Sequence, residues 1–434
     1  MIPFYSLPGL GWASLPFTLF QQFNGTSRLP VYELNRANVT RPYVRIRPLR
    51  ENTTDFRISA WRLAHAIKKA DCAKGIPSIV LHFGAVGFLV EHLFLFDWNS
   101  DNLRLNNGMA DYYADFIRTS LSGRVAQGMS ILFMEEREYS FNGQFSTFLK
   151  SAGGQAVAGR LIKAKSSKRK IPKTPDFIFQ KFGNEVALVE SKGGFVTPGN
   201  APLIKGDLRE ALEQLDDWDR ILGSQQSVKS FAVGTYIKEG GDLSEEPSLI
   251  AFVDPEPDES TKRVSYPPDL IRRCNYAGWL AGMGFLDTSN RLKGFVKDSS
   301  SLRTRLPMLA LGDRQYAFVV LSFRPILKDR IFYGENFWLG LDDWQSWPLH
   351  FFHEGMSLEI MGVEIETLNS LSKFLLTGNS EPLMHIEPIS ERDLPQKADE
   401  GKFFGSVYSD GTLFGELRVS SPKFGGITFE DIEL

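Results

Sequence analysis

The stretch TPDFIFQKFGNEVALVESKGG, residues 174–194, holds two short apolar runs on either side of a glycine-containing turn. Runs of this length, rich in Phe, Ile and Val, read as strands over 176–180 and 185–192. Side chains alternate along a strand, so Glu190 and Lys192 share a face with Val186 and Leu188. A three-residue turn at Phe182-Gly183-Asn184, with Gly or Asn left-handed, pairs Lys181 with Glu185 and sets Asp176 opposite Glu190. A two-residue turn at Gly183-Asn184 would set Asp176 opposite Ser191 and separate the carboxylates. The first register, or a bulge that restores it, is the one expected. Two carboxylates one strand spacing apart form a hard-oxygen pair suited to magnesium or manganese.

Outward from this stretch, a helix is expected at 207–222. Asp207 and Glu210 form a start like a capping box, and Leu208, Ala211, Leu212, Leu215, Trp218 and Leu222 follow a helical period. Strands are expected at 129–135, 156–164, 230–237 and 248–253, with a helix around 143–151. Helices are also expected at 57–70, 85–97, 109–121 and 269–284. Residues 254–268 are rich in proline and charge and read as a linker. Asp410-Gly411, between alternating residues, reads as a hairpin turn. The expected organisation is a mainly helical region over 1–125, an α/β (α+β) core with a central mixed sheet over 126–255, and a C-terminal α+β region over 256–434.

A Pro-Asp opening one strand and a Glu-x-Lys closing the next resemble the PD-(D/E)XK, or restriction-endonuclease-like, nuclease superfamily. Pro-Asp occurs three times in the chain and Glu-x-Lys twice, but only Pro175-Asp176 precedes an apolar strand and only Glu190-Ser191-Lys192 closes one. The resemblance covers about a third of the chain, roughly 130–255. It implies a restriction-endonuclease-like core, a magnesium or manganese cofactor on Asp176 and Glu190, and hydrolysis of DNA phosphodiester bonds. Lys192 would then orient or help deprotonate the attacking water and offset developing charge. Gln214 and Trp218 resemble the QxxxY element of the exonuclease-like branch, with Trp in place of Tyr, which puts Gln214 among the catalytic candidates. Many relatives add an acidic ligand from a preceding helix. Glu91 is favoured here over Glu135 and Glu136. By the same analogy the setting is bacterial restriction or anti-phage defence, as a homodimer or with a partner protein.

The totals constrain this reading. At 434 residues the chain is long enough for two or three domains. A net charge of −3 means that nucleic-acid binding needs a local basic patch. Arg160, Lys163, Lys165, Lys168, Arg169, Lys170 and Lys173, just before the motif, supply one. The two cysteines, Cys72 and Cys274, have no CxxC partners, which excludes a thiolate zinc site. No run reaches the roughly 18 apolar residues that span a bilayer. The N-terminus lacks the basic start of a signal peptide, so a cytoplasmic protein is expected. Neither a P-loop nor a GxSxG elbow is present. A catalytically silent nucleic-acid-binding or assembly module, and an effector gated by a partner, remain the alternatives to an active nuclease.

Overall fold

The computed structural model describes residues 13–16, 23, 25–46, 49, 52–73, 95–112, 115–155, 157, 173–219, 228–241, 247–254, 266–296, 303–327, 330–333, 356–389, 403–419 and 427–434. The chain starts with β1 (Ala13–Pro16), β2 (Thr26–Glu33), α1 (Arg36–Thr40), β3 (Asn52–Ser59) and α2 (Ala60–Ala73). Next come β4 (Phe96–Asp97), β5 (Arg104–Leu105), α3 (Met109–Tyr112), α4 (Asp115–Glu135), β6 (Phe141–Gln144) and α5 (Phe145–Lys150). The middle holds β7 (Phe177–Gln180), β8 (Val186–Val196), α6 (Ile204–Asp219), β9 (Val228–Lys238) and β10 (Leu249–Val253). Then follow α7 (Leu270–Gly282), α8 (Leu286–Leu292), β11 (Arg303–Leu311), β12 (Arg314–Leu327) and β13 (Arg330–Tyr333). The last elements are β14 (Met356–Glu364), α9 (Ile365–Thr377), α10 (Glu381–Met384), β15 (Phe403–Val407), β16 (Thr412–Val419) and β17 (Ile427–Glu433).

The protein is mixed α/β, with a mixed sheet flanked by helices. Seven strands lie in the order β3-β2-β10-β9-β8-β7-β6. The pairs β8–β9 and β10–β2 are parallel and the others antiparallel. A parallel pair needs a crossover, and α6 supplies it between β8 and β9. Its apolar stripe of Leu208, Ala211, Leu212, Leu215 and Trp218 is buried with Ile178, Val186 and Leu188 of the sheet. The opposite face carries Phe177, Phe179, Ala187 and Val189, in one apolar cluster with α4 and α2. The two periods thus agree: alternate strand residues split between two helical layers.

A second sheet of eight strands is built mainly from β11–β17, with β1 added at its edge. The apolar cluster under α4 continues into it without a break, through Tyr276 and Trp279 of α7 to Met308, Val319, Met361 and Phe414. A buried polar network crosses the same boundary. Lys69 Nζ of α2 lies 2.5 Å from Asp410 Oδ2, and both side chains are almost fully buried. Asn275 Nδ2 and the Thr412 hydroxyl donate to the same carboxylate. His65 stacks between Trp279 and Tyr408, with Nδ1 3.1 Å from the Ser406 carbonyl. Burial and the nearby charge of Lys69 hold the His65 imidazole well below its usual pKa, so it is neutral. Among the described residues, no helix is long and apolar enough to cross a membrane.

Several expectations are corrected. Residues 129–135, expected as a strand, are the last two turns of α4. Residues 57–59 end β3, and the helix begins only at Ala60. The region 1–125, expected to be mainly helical, gives β2 and β3 to the seven-stranded sheet, so that sheet is not confined to 126–255. Helix α6 starts at Ile204, which places Asp207 in its first turn and not at its cap. The expected strand at 156–164, the helix over 85–94 and the linker core 255–265 lie outside the described residues, Val157 apart. The hairpin at Asp410-Gly411 forms as expected, between β15 and β16.

Candidate active site

Strand β7 pairs with β8 through Phe177↔Val189, Ile178↔Leu188, Phe179↔Ala187 and Gln180↔Val186. Asp176, one step before β7, therefore stands opposite Glu190, in the expected register. The turn explains it. The Lys181 N–H donates to the Glu185 carbonyl at 2.9 Å, closing a three-residue loop. Asn184 takes the left-handed conformation, with φ +66°. Its Oδ1 accepts from Gln180 Nε2 at 3.0 Å, which pins the loop from one side.

Each carboxylate is held differently. Asp176 Oδ2 accepts from the Ser191 backbone N–H at 3.0 Å. Its Oδ1 accepts from Gln127 Nε2 of α4 at 3.3 Å. Its own carbonyl accepts from the Phe145 N–H at 3.0 Å, tying the start of β7 to α5. Glu190 is 5% exposed, and its Oε1 lies 3.1 Å from Lys192 Nζ. Its Oε2 is buried and has no hydrogen-bond partner among the described residues. Burial, reinforced by the Asp176 charge and opposed by Lys192, pushes the Glu190 carboxyl up to about 7.

Burial works against the charge of Lys192, but Glu190 and Glu210 outweigh it and raise its pKa. A lysine that holds its proton this firmly is suited to orienting and neutralising anions, and poorly suited to accepting a proton. Glu210 of α6 completes the cluster. Its Oε1 lies 3.0 Å from Lys173 Nζ, 3.4 Å from Lys192 Nζ and 3.3 Å from Gln214 Nε2. The hydrogen bond from Lys173 and the charge of Lys192 lower the Glu210 pKa, so it is ionised. Trp218 is fully buried, and its Nε1 donates to the Lys173 carbonyl at 2.8 Å. One turn after Gln214, Trp218 is thus an anchor for the chain entering β7. Asp207 accepts from the Tyr236 hydroxyl at 3.0 Å and joins α6 to β9.

Asp176, Glu190, Lys192 and Gln214 therefore come together, with Lys173 beside them. Gln127 and Glu210 join them and were not singled out from sequence for this role. Glu210 had a signal, since it lies one helical turn before Gln214. Gln127 had none. Glu91 and the basic residues Lys163, Lys165, Lys168, Arg169 and Lys170 lie outside the described residues. Glu135 accepts from the Ser409 N–H and pairs with Arg62, which turns it to the C-terminal hairpin. Glu135 and Glu136 line a cleft of about 760 Å³ at the turn end of the β7–β8 hairpin, with Lys181 and Glu185. That cleft is a natural first place to look for a ligand. The opposed carboxylates, however, sit at the other end of the hairpin, and the chemistry is argued from them.

Asp176 and Glu190 offer the hard oxygen donors that a divalent cation takes. Among the described residues, no three His, Cys, Asp or Glu side chains converge as a cage. Magnesium typically takes one or two carboxylates and fills its octahedron with water and substrate oxygens, so a pair suffices. The partnerless, buried Glu190 Oε2 and the mutual repulsion of the two carboxylates both fit a cation between them. No family model, no curated protein and no solved structure matches this chain.

Proposed function

We propose that this chain is a metal-dependent nuclease that hydrolyses DNA phosphodiester bonds, and that its seven-stranded sheet is a PD-(D/E)XK, restriction-endonuclease-like core. The observation that carries the reading is the register that sets Asp176 opposite Glu190, with Lys192 paired to Glu190 on the same strand. Asp176 and Glu190 would hold magnesium or manganese. When bound, the cation supplies a water of lowered pKa and polarises the scissile phosphate. Asp176 keeps its aim through Ser191 and Gln127. Lys192 stays protonated, orients the phosphate and offsets the charge that develops on it. Gln214, next to the cluster, donates to Glu210 beside the lysines. The resemblance carries the proposal further, to a cytoplasmic protein of bacterial restriction or anti-phage defence, acting as a homodimer or with a partner protein.

The test is incubation of the full chain with linear and circular plasmid DNA, in magnesium, in manganese and in chelator. Asp176→Ala and Lys192→Ala are run beside it. Cutting that needs metal and disappears in both variants is the expected result, and cutting of the circle makes the enzyme an endonuclease. Cutting that survives both substitutions overturns the site. DNA retarded on a gel but never cut points instead to a binding module.

A further inference from the structure

One oxygen, Glu210 Oε1, is met by three donors from three parts of the chain. These are Lys173 Nζ ahead of β7, Lys192 Nζ on β8 and Gln214 Nε2 on α6. Two cations and an amide converging on a single anionic oxygen make the donor set that a phosphate oxygen takes. Two donors are held on the strand and the helix, while Lys173, with a side chain 63% exposed, and the acceptor can adjust. Lys192 is 20% exposed and tethered by Glu190, and Gln214 is 9% exposed. Lys173 has its backbone clamped by the buried Trp218. The Glu210 side chain is 52% exposed on the outer edge of α6, so it can rotate into solvent without unpacking the helix.

We infer that Lys173, Lys192 and Gln214 form a phosphate-binding subsite, and that Glu210 is a built-in anion which a backbone phosphate of the nucleic acid displaces. The inference rests on the nuclease reading for its substrate class, but binding can be tested without cutting. It also sets the charge balance. With Glu210 in place one of the two lysine charges is already offset, so the pair releases fewer counterions when DNA binds. Removing the glutamate charge frees Lys173 for phosphate and leaves Lys192 paired with Glu190.

The experiment measures binding of a fluorescent 20-base-pair DNA duplex to the full chain in chelator, over a series of salt concentrations. Inorganic phosphate serves as a competitor. Glu210→Gln is expected to bind about tenfold tighter than wild type at low salt and to steepen the salt dependence by about one counterion. Phosphate should compete more strongly with the variant. Glu213→Gln, on the exposed side of the same helix, makes the same change in net charge and is expected to bind like wild type. Adding Lys173→Ala to Glu210→Gln should abolish the gain. The inference is overturned if Glu210→Gln binds no tighter, if neither chain binds, if Glu213→Gln gains equally, or if the gain survives loss of Lys173. The two readings separate cleanly. Metal-dependent cutting with no effect of Glu210→Gln overturns only the subsite. A tighter Glu210→Gln that cuts under no condition overturns only the nuclease.

Discussion

Gln127 Nε2 donates to Asp176 Oδ1 at 3.3 Å across 49 residues of sequence. Helix α4 thereby reaches around the start of β7 to the carboxylate that the sheet presents. With the Ser191 N–H on its other oxygen, both oxygens of Asp176 accept a hydrogen bond.

Loss of that contact should cost activity more than stability. Gln127 is half-buried, so Gln127→Ala should lower stability by no more than about 1 kcal/mol. Metal-dependent cleavage should fall roughly tenfold, since a loosened ligand misplaces the reacting geometry. Cleavage rates beside urea unfolding of the same preparations check this. Equal losses in both would mean that Gln127 only holds the fold.

Gly193 marks where α4 crosses β8. A Cβ there would lie 2.4 Å from Ala126 Cβ and 3.0 Å from the Thr235 carbonyl oxygen, and neither backbone yields cheaply. Gly193→Ala should destabilise by about 1–3 kcal/mol. At Gly194 a Cβ meets nothing within 4 Å, so Gly194→Ala should stay within about 0.5 kcal/mol of wild type. Denaturant titrations decide, and equal values for the pair would contradict the close approach.

The turn predicts a graded series at position 184. Asn184→Gly keeps the left-handed conformation and loses only the contact with Gln180. Asn184→Val forces a β-branched residue to positive φ and should cost about 1–2 kcal/mol. Thermal melts should rank wild type above glycine, and glycine above valine. Valine as stable as glycine would argue against this turn.

His65 gives a pH dependence whose sign is fixed. Its folded pKa is depressed, so the unfolded chain binds a proton at mildly acidic pH that the folded chain refuses. Its stabilising contribution is complete above the unfolded value near 6.5 and is lost as pH falls below it. The slope is up to about 1.4 kcal/mol per pH unit. Urea unfolding of wild type and His65→Asn from pH 7.5 to 5 tests this. The difference between the two curves removes the other titrating carboxylates and should carry about one proton of slope. Parallel curves would sink the prediction.

The carboxylate pair was legible because local chemistry fixes it. Gly183-Asn184 admits a tight turn, and apolar alternation on both sides admits one register. Helix α6 was legible for a similar reason, since one face meets the sheet and the other meets solvent. Helix α4 was not. Val125, Ala126, Met129, Ile131, Leu132, Phe133 and Met134 are all buried, because α4 lies between two layers and shows no polar stripe. A helix apolar all round cannot be told from a strand by its period. Misreading MSILFME as a strand also hid Gln127, which acts only once its helix is laid beside β7. The pairing of β2 with β3 was not legible for a different reason. Their partners are β10 and each other, more than 20 residues away at the nearest.

The Lys69–Asp410 pair has a consequence for how the chain can be divided. Each of these charges is buried against the other from opposite ends of the sequence, and the apolar cluster around them belongs to both sheets. A fragment ending near residue 255 would keep the opposed carboxylates but lose both the partner of Lys69 and the apolar cover over it, leaving a shared core face open to water. The two halves are therefore expected to melt together, in a single transition.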